Sequence, residues 1–154
     1  MTKMQIRVGQ LDSEQVLALL HEHHQDMLCH SPVESVHALD ISALKQADVT
    51  FYSLWCEQQL AGIGAIKQLD KYHGEIKSMR TSSHYLRQGV AGKIMAHLIA
   101  EATARGYQRL SLETGSMDAF KPAQNLYQQF GFKLCPPFAD YKQDPYSSFM
   151  SKVL

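Results

Sequence analysis

The chain has 154 residues and a mass of 17.4 kDa, with 15 basic and 15 acidic side chains and therefore no formal net charge. This length predicts one domain over residues 1–154, and the lack of a basic surplus argues against a nucleic-acid-binding protein. No apolar stretch is long enough to cross a membrane, and residues 1–10 do not resemble a signal peptide. The three widely spaced cysteines, Cys29, Cys56 and Cys135, fit reduced thiols, and we expect a cytoplasmic protein.

The first part of the chain predicts one strand and two helical regions. Met4–Val8 alternates between apolar and polar residues, as a short strand does. Asp12 or Ser13 can cap a helix whose apolar positions extend to Met27. Ser31-Pro32-Val33-Glu34 predicts a second helix start with a capping box, and this region is expected to run in pieces through Leu44.

The middle of the chain predicts a three-stranded segment followed by a long helix. Val49–Cys56 is rich in β-branched and aromatic residues, and Leu60–Leu69 and Glu75–Thr81 continue as strands. Apolar residues then recur at helical spacing between Gly89 and Gly106, which predicts a helix bounded by these two glycines.

The last part predicts a strand, a helix and two further strands: Leu110–Thr114, Pro122–Phe130, Phe132–Cys135 and Ser148–Val153. The complete order is β-α-α-β-β-β-α-β-α-β-β. It predicts an α/β fold with a mixed, mostly antiparallel sheet of six to seven strands flanked by about four helices.

The segment Leu86–Lys93, with the sequence LRQGVAGK, lies where a strand passes into a helix. Its small residues allow a ligand to approach the backbone, and the helix directs unpaired N–H groups and its positive dipole end toward the loop, an arrangement suited to a pyrophosphate. Neither a Walker A loop nor a dinucleotide-binding glycine motif fits the surrounding residues. An ordinary helix start explains the same pattern.

Two motifs resemble the GNAT N-acetyltransferase superfamily, in particular its small stand-alone bacterial members. The family loop Q/R-x-x-G-x-G/A is matched at Gly89 and Ala91, although Leu86 replaces its first residue. Downstream, Ala123–Phe132 resembles the family pattern A-x-x-L-Y-x-x-x-G-F. The match is strong over residues 73–135.

The resemblance implies acetyl-CoA as the co-substrate. By analogy with the family, the strand edge Ser78–Thr81 pairs with the pantetheine arm, and Asn125 contacts the same ligand. The loop and helix start would bind the pyrophosphate, and the residues expected there are Arg87, Gln88, Gly89, Val90, Ala91, Gly92 and Lys93.

Amine acetylation needs a base, because an alkylamine with a pKa of roughly 10.4 must lose a proton before it attacks a thioester. The resemblance implies Glu75 as that base, with Glu113 as a rival, and Tyr127 as the acid that protonates the leaving thiolate. For each of these residues an ordinary structural role is the alternative: a solvated glutamate, or a tyrosine packed beside Leu126 and Phe130.

The acceptor is expected to be an amine of a small molecule or peptide. The resemblance places the following candidates around its pocket: His30, Glu34, His37, Arg80 and Tyr141. Arg80 can instead pair with a neighbouring carboxylate. The cluster His21–His24 lacks the spacing of a zinc motif, and Cys29, Cys56 and Cys135 form no CxxC pair, so no metal site is predicted.

Charge is distributed unevenly along the chain. Residues 1–74 carry five basic and nine acidic side chains, whereas residues 75–154 carry ten and six. If this division is not chance, it predicts a basic cofactor cleft beside a more acidic acceptor side. A non-catalytic acyl-CoA-binding module and a nucleotide-binding module remain alternatives, and a homodimer is possible.

Overall fold

The fold is built on one seven-stranded sheet. The computed structural model describes residues 3–154. The strands are β1 (Met4–Val8), β2 (Val49–Cys56), β3 (Gln59–Asp70), β4 (His73–Thr81), β5 (Arg109–Gly115), β6 (Lys133–Leu134) and β7 (Ser147–Val153). The helices are α1 (Glu14–His30), α2 (Ile41–Leu44), α3 (Val90–Ala104) and α4 (Lys121–Gln129). The predicted α/β fold class and element order are confirmed.

The strands lie in the order β1-β2-β3-β4-β5-β7-β6. Neighbouring strands are antiparallel except β4 and β5, which run parallel at the centre. Parallel strands need a crossover connection, and α3 supplies it. The strand pair at the middle of the sheet is therefore parallel, whereas the pairs on either side of it are antiparallel.

Two buried clusters hold the helices on the sheet. Alternation along β2 directs Phe51 and Trp55 into one cluster with α1 and α2, and Tyr52 and Leu54 into the other with α3. The second cluster extends to Tyr127 of α4. This packing brings α1, α3 and α4 close to the central strands.

The close approach of α3 to β3 depends on two glycines. A Cβ added at Gly62 would lie 2.7 Å from Cγ1 of Val90, and one at Gly64 would lie 2.7 Å from Cγ2 of Ile94. Both distances are shorter than carbon atoms tolerate. The glycines thus let the start of α3, which follows the Leu86–Lys93 loop, pack directly against the sheet.

The predicted capping box at Ser31–Glu34 is wrong in its geometry. Ser31 instead ends α1, with its N–H donating to the carbonyl of Met27, and Val33–Ser35 forms only one 3₁₀ turn. The true cap of α2 is Asp40, whose carboxylate accepts a 2.8 Å hydrogen bond from the N–H of Ala43. Pro32 lies outside any α-helix because α1 already extends to His30. The expectation of helix in pieces through Leu44 is confirmed.

Candidate active site

The two central strands separate partway along their length. β4 and β5 are paired from His73 with Arg109 to Ile76 with Leu112, and the pairing stops there, although both strands continue. The edges beyond this point, Lys77–Thr81 and Glu113–Gly115, therefore face a gap with unused backbone groups. Because buried backbone groups require partners, this gap is a natural place for a ligand that pairs like a strand.

An irregularity in β4 lies inside this gap. Ser78 has a φ of +56°, and the pairing of β3 with β4 changes register between Lys77 and Arg80. Such a bulge turns the backbone of one strand relative to its neighbour. The hydroxyl of Ser78 is buried, and no partner for it is found among residues 3–154. A ligand bound in the gap would supply the missing partner.

On one side, the gap opens into a cavity of about 730 Å³. Its walls include Met79, Arg80 and Thr81 of β4, the turn before α3, and part of α4. Of the predicted loop residues, five line this cavity: Arg87, Gly89, Val90, Ala91 and Gly92. The Leu86–Lys93 loop and the Ala123–Phe132 motif therefore both contribute residues to the wall of this cavity.

The turn before α3 exposes the helix N-terminus to this cavity. Arg87 and Gly89 have φ values of +63° and +79°, so the chain reverses sharply at this point. Gly89 is the N-cap and supplies no side chain to the first N–H groups of α3. A Cβ added there would meet nothing within 4 Å. Space and unpaired donors occur together, which fits a bound phosphate.

Four predicted cofactor residues do not line this cavity. The side-chain amide of Gln88 lies 3.4 Å from the carbonyl of His84, the N–H of Lys93 donates to the carbonyl of Gly89, and Asn125 is exposed. Ser78 lines a neighbouring inner cavity instead.

The inner cavity, of about 110 Å³, lies between the separated strands and holds Glu113 and Tyr127. Tyr127 is buried, and burial together with the Glu113 carboxylate raises the pKa of its hydroxyl to about 12. Burial also raises the pKa of the Glu113 carboxyl. Among residues 3–154, no basic side chain forms an ion pair with Glu113. This pair therefore combines a proton acceptor with a proton donor.

Glu75 lies on the far side, in an outer cavity of about 820 Å³ that does not include Tyr127. The hydroxyl of Tyr141 donates to Oε2 of Glu75 at 2.5 Å, and the same oxygen lies 3.3 Å from Nζ of Lys77. Nζ also donates to the hydroxyl of Tyr141 at 2.7 Å and to the carbonyl of His37 at 3.0 Å. Burial, with the Glu75 carboxylate beside it, raises the pKa of Tyr141.

The outer cavity contains three of the predicted acceptor residues, Glu34, His37 and Tyr141. The ring of His37 packs edge-on against Tyr141 with centroids 4.9 Å apart, and burial and the Lys77 charge lower the pKa of His37. Six carboxylates and three lysines line this cavity. Carboxylates therefore outnumber lysines in this cavity, but three of them, Glu75, Asp140 and Asp144, come from residues 75–154, so the charge division along the chain stays a prediction.

His30 and Arg80 lie on the opposite side, against the cavity beside α3. Arg80 forms ion pairs with Asp26 at 2.8 Å and Glu22 at 3.1 Å, and the hydrogen bond from Arg80 lowers the pKa of Asp26. Of the two roles open to Arg80, pairing with carboxylates is the one observed. This cavity holds two arginines and two carboxylates, so it is not strongly basic.

Two candidate functional residues were not predicted from the sequence. Lys77 contacts Glu75, Tyr141 and the carbonyl of His37. Alternation along β4 could have shown that Lys77 shares a face with Glu75. Phe120 lines both the inner cavity and the cavity beside α3, and it belongs to neither motif. Within residues 3–154, no three His, Cys, Asp or Glu side chains are placed to hold a metal. No helix in that range is long and apolar enough to span a membrane.

The fold and the site together define an acetyltransferase. The model of the acetyltransferase (GNAT) family matches residues 14–132, and the chain therefore belongs to that family. This membership favours an enzyme over the non-catalytic and nucleotide-binding alternatives.

Two bacterial relatives are similar in sequence over nearly the whole chain. The chain is 54% identical to the uncharacterized N-acetyltransferase YsnE of Bacillus subtilis, over 98% of this chain and 100% of that one. It is 50% identical to the uncharacterized N-acetyltransferase YedL of Escherichia coli, over 97% and 94%. A crystal structure of a GNAT acetyltransferase from Elizabethkingia anophelis with acetyl-CoA bound shares the fold, with a TM-score of 0.70, 16% identity, and coverage of 98% of both chains.

Proposed function

We propose that the enzyme transfers the acetyl group of acetyl-CoA to a primary amine of a small molecule or peptide. The transfer is direct, with both substrates bound and no covalent acetyl-enzyme. The observation that carries this proposal is the meeting of three cavities at the gap between β4 and β5, with Glu113 and Tyr127 in the innermost one. The acetyl-CoA bound to the Elizabethkingia relative supports the choice of donor.

The cavity beside α3 suits coenzyme A. Free N–H groups at the start of α3 would hold the pyrophosphate, and the open space at Gly89 lets it approach the backbone. The edge of β4 over Ser78–Thr81 would pair with the pantetheine amides. Of the predicted loop residues, Lys93 already uses its N–H within α3, so its contribution to phosphate binding would come from charge.

The reaction requires proton transfers at the nitrogen and at the sulfur. The protonated amine first loses one proton to the carboxylate of Glu113, which releases it to water. The neutral nitrogen then bonds to the carbonyl carbon and gives its second proton to the same carboxylate. The C–S bond breaks, and the departing sulfur takes the proton of the Tyr127 hydroxyl. Burial raises the pKa of Glu113, which makes it a stronger base than an exposed carboxylate. Glu75 lies in the outer cavity and would take no proton. It would hold Tyr141 and Lys77 in position there.

The acceptor would enter through the outer cavity. Glu34, His37 and Tyr141 line its wall, and His37 and Lys77 line both it and the inner cavity. The surplus of carboxylates there favours an acceptor with positive charge. Arg80 and His30 lie on the donor side and would not contact the acceptor.

The test is acetyl transfer from acetyl-CoA to a panel of amines, with release of free thiol as the readout. Transfer is expected for at least one cationic amine. Acetyl-CoA at 100 times its Kd should also stabilise the protein by about 2.7 kcal/mol, whereas ATP should not. Stabilisation by ATP alone would contradict the proposal.

The choice of base is tested by Glu113→Gln and Glu75→Gln, two matched changes that remove a charge and keep the shape. If Glu113 is the base, Glu113→Gln lowers kcat by about 10²–10⁴-fold, whereas Glu75→Gln acts mainly on the KM of the acceptor. The reverse pattern would establish the sequence-based prediction of Glu75 as the base. Tyr127→Phe should lower kcat without weakening acetyl-CoA binding.

A further inference from the structure

The passage between the donor cavity beside α3 and the inner cavity is a neck, lined by residues that face both. They are His23, Met27, Met79, Phe120, Ala123 and Tyr127. Since coenzyme A would occupy the donor cavity and the acceptor would arrive from the other side, the thioester must lie at this neck. The acyl chain attached to it then extends among the neck residues and into a cavity of about 110 Å³.

Phe120 supplies the largest apolar ring of the neck, and the structure holds this ring in place. The side chain is 7% exposed. It lies against Gly115 at the end of β5, so closely that a Cβ added at Gly115 would overlap the ring. The imidazole of His30 packs edge-on against the ring, with centroids 5.8 Å apart.

The backbone on both sides of this contact is also fixed. The carbonyl of Gly115 accepts a 2.7 Å hydrogen bond from the side-chain amide of Gln124, which ties β5 to α4. The N–H of Phe120 donates to the carbonyl of Met117 at 2.9 Å, closing the turn that precedes α4. A ring supported in this way cannot move aside easily to admit a longer chain.

We propose that Phe120, with its ring packed on Gly115, limits the length of the acyl chain that the enzyme accepts. This inference rests on the proposed function, because it assumes an acyl-CoA donor. The glycine matters because any side chain at position 115 would displace the ring. The neck therefore selects acetyl over longer acyl groups by steric exclusion at one residue.

The test compares acetyl-CoA with butyryl-CoA, using both Kd without acceptor and kcat/KM with the best amine. The wild type should favour acetyl-CoA. Phe120→Ala should shift the ratio of butyryl to acetyl by about 10-fold or more, since each methylene in an apolar pocket contributes a factor of that size. Phe120→Leu should give an intermediate ratio, and it preserves an apolar contact with the core if the alanine variant folds poorly.

Phe138→Ala is the matched control, because this ring packs on Tyr141 and Phe149 and lines none of the three cavities. Its acyl ratio should equal that of the wild type. The inference fails if the wild type accepts both donors equally, if Phe120→Ala and Phe120→Leu leave the ratio unchanged, or if Phe138→Ala shifts it equally.

Failure of the proposed function gives a different result. If neither acyl-CoA binds, both the function and the inference are overturned. If the donors bind but no amine is acetylated, only the transfer is overturned, and the ratio of the two Kd values still decides the role of Phe120.

Discussion

The hydroxyl of Tyr141 donates a 2.5 Å hydrogen bond to Oε2 of Glu75, a carboxylate that is only 2% exposed. Lys77 lies against the same two groups, with Nζ 2.7 Å from the hydroxyl and 3.3 Å from the carboxylate. The loop that carries Tyr141 is thereby joined to the central strand β4. One hydroxyl links the wall of the outer cavity to the middle of the sheet.

Tyr141→Phe should lower the free energy of unfolding by about 1–3 kcal/mol, because it leaves a buried carboxylate without one of its donors. Urea denaturation measures this change. The KM of the acceptor should rise, while that of acetyl-CoA stays constant. Tyr146→Phe is the control, since this tyrosine is 42% exposed. Equal stability of the two variants would show that the Tyr141 hydroxyl contributes little.

Glu113→Gln should stabilise the protein at pH 7 while it lowers activity. Burial raises the pKa of Glu113 in the folded state, so ionisation at neutral pH costs more free energy folded than unfolded. The carboxyl is protonated in both states below its unfolded pKa of about 4.5, and the gain from glutamine should vanish there. Unfolding by urea at several pH values measures it. A variant less stable than wild type at pH 7 would contradict the prediction.

Activity should depend on pH through the same group. A base acts only when deprotonated, so kcat/KM should fall as the pH decreases through the raised pKa of Glu113. This acidic limb should be absent from the residual activity of Glu113→Gln. Glu75→Gln should retain the limb. Its loss in Glu75→Gln, with retention in Glu113→Gln, would assign the base to Glu75.

Gly89→Ala and Gly106→Ala form a matched pair at the two ends of α3. Both glycines have a left-handed φ, +79° and +83°, and a Cβ at either meets nothing within 4 Å. Each alanine should therefore cost about 1–2 kcal/mol of stability. Only the change at Gly89 adds a methyl to the donor cavity, so it alone should weaken acetyl-CoA binding measured by calorimetry. Equal affinities would place the ligand away from this turn.

His23 should make the protein less stable in acid. Burial, with the Arg80 charge nearby, lowers the pKa of His23 from 6.5 to about 4. As the pH falls from 6.5 toward 4, the unfolded state binds a proton at His23 and the folded state does not. The free energy of unfolding therefore decreases across this range. His23→Gln should flatten the stability profile across that window. His24→Gln, at the exposed neighbouring histidine, is the control for the substitution itself, and an equal change in the profile there would contradict the prediction.

Much of the fold follows from local sequence. The bounds of β1 and β2 could be predicted because alternation and β-branched residues act within a few neighbours. The glycine before α3 and the L-Y-x-x-x-G-F pattern that begins in α4 likewise mark the two motifs at the donor cavity. The capping box at Ser31 failed because α1 continues to His30 and uses Ser31 as its end.

The partners of the site residues depended on distant segments of the chain. Glu75 and Glu113 are both strand glutamates, and nothing in their local sequence shows which one shares a cavity with Tyr127. The separation of β4 and β5 after Ile76 decides that, and it places Glu75 with Tyr141 on the outer side. The ion-pair partners of Arg80, Glu22 and Asp26 of α1, likewise lie far from it in sequence.

The sequence by itself determined the class of fold, the loop before α3 and the residue types available for acetyl transfer, because these depend on spacing along the chain. Only the tertiary structure decided which carboxylate meets which hydroxyl, and that Phe120 faces two cavities. Such encounters join residues far apart in sequence, and they exist only once packing has brought their strands and helices together.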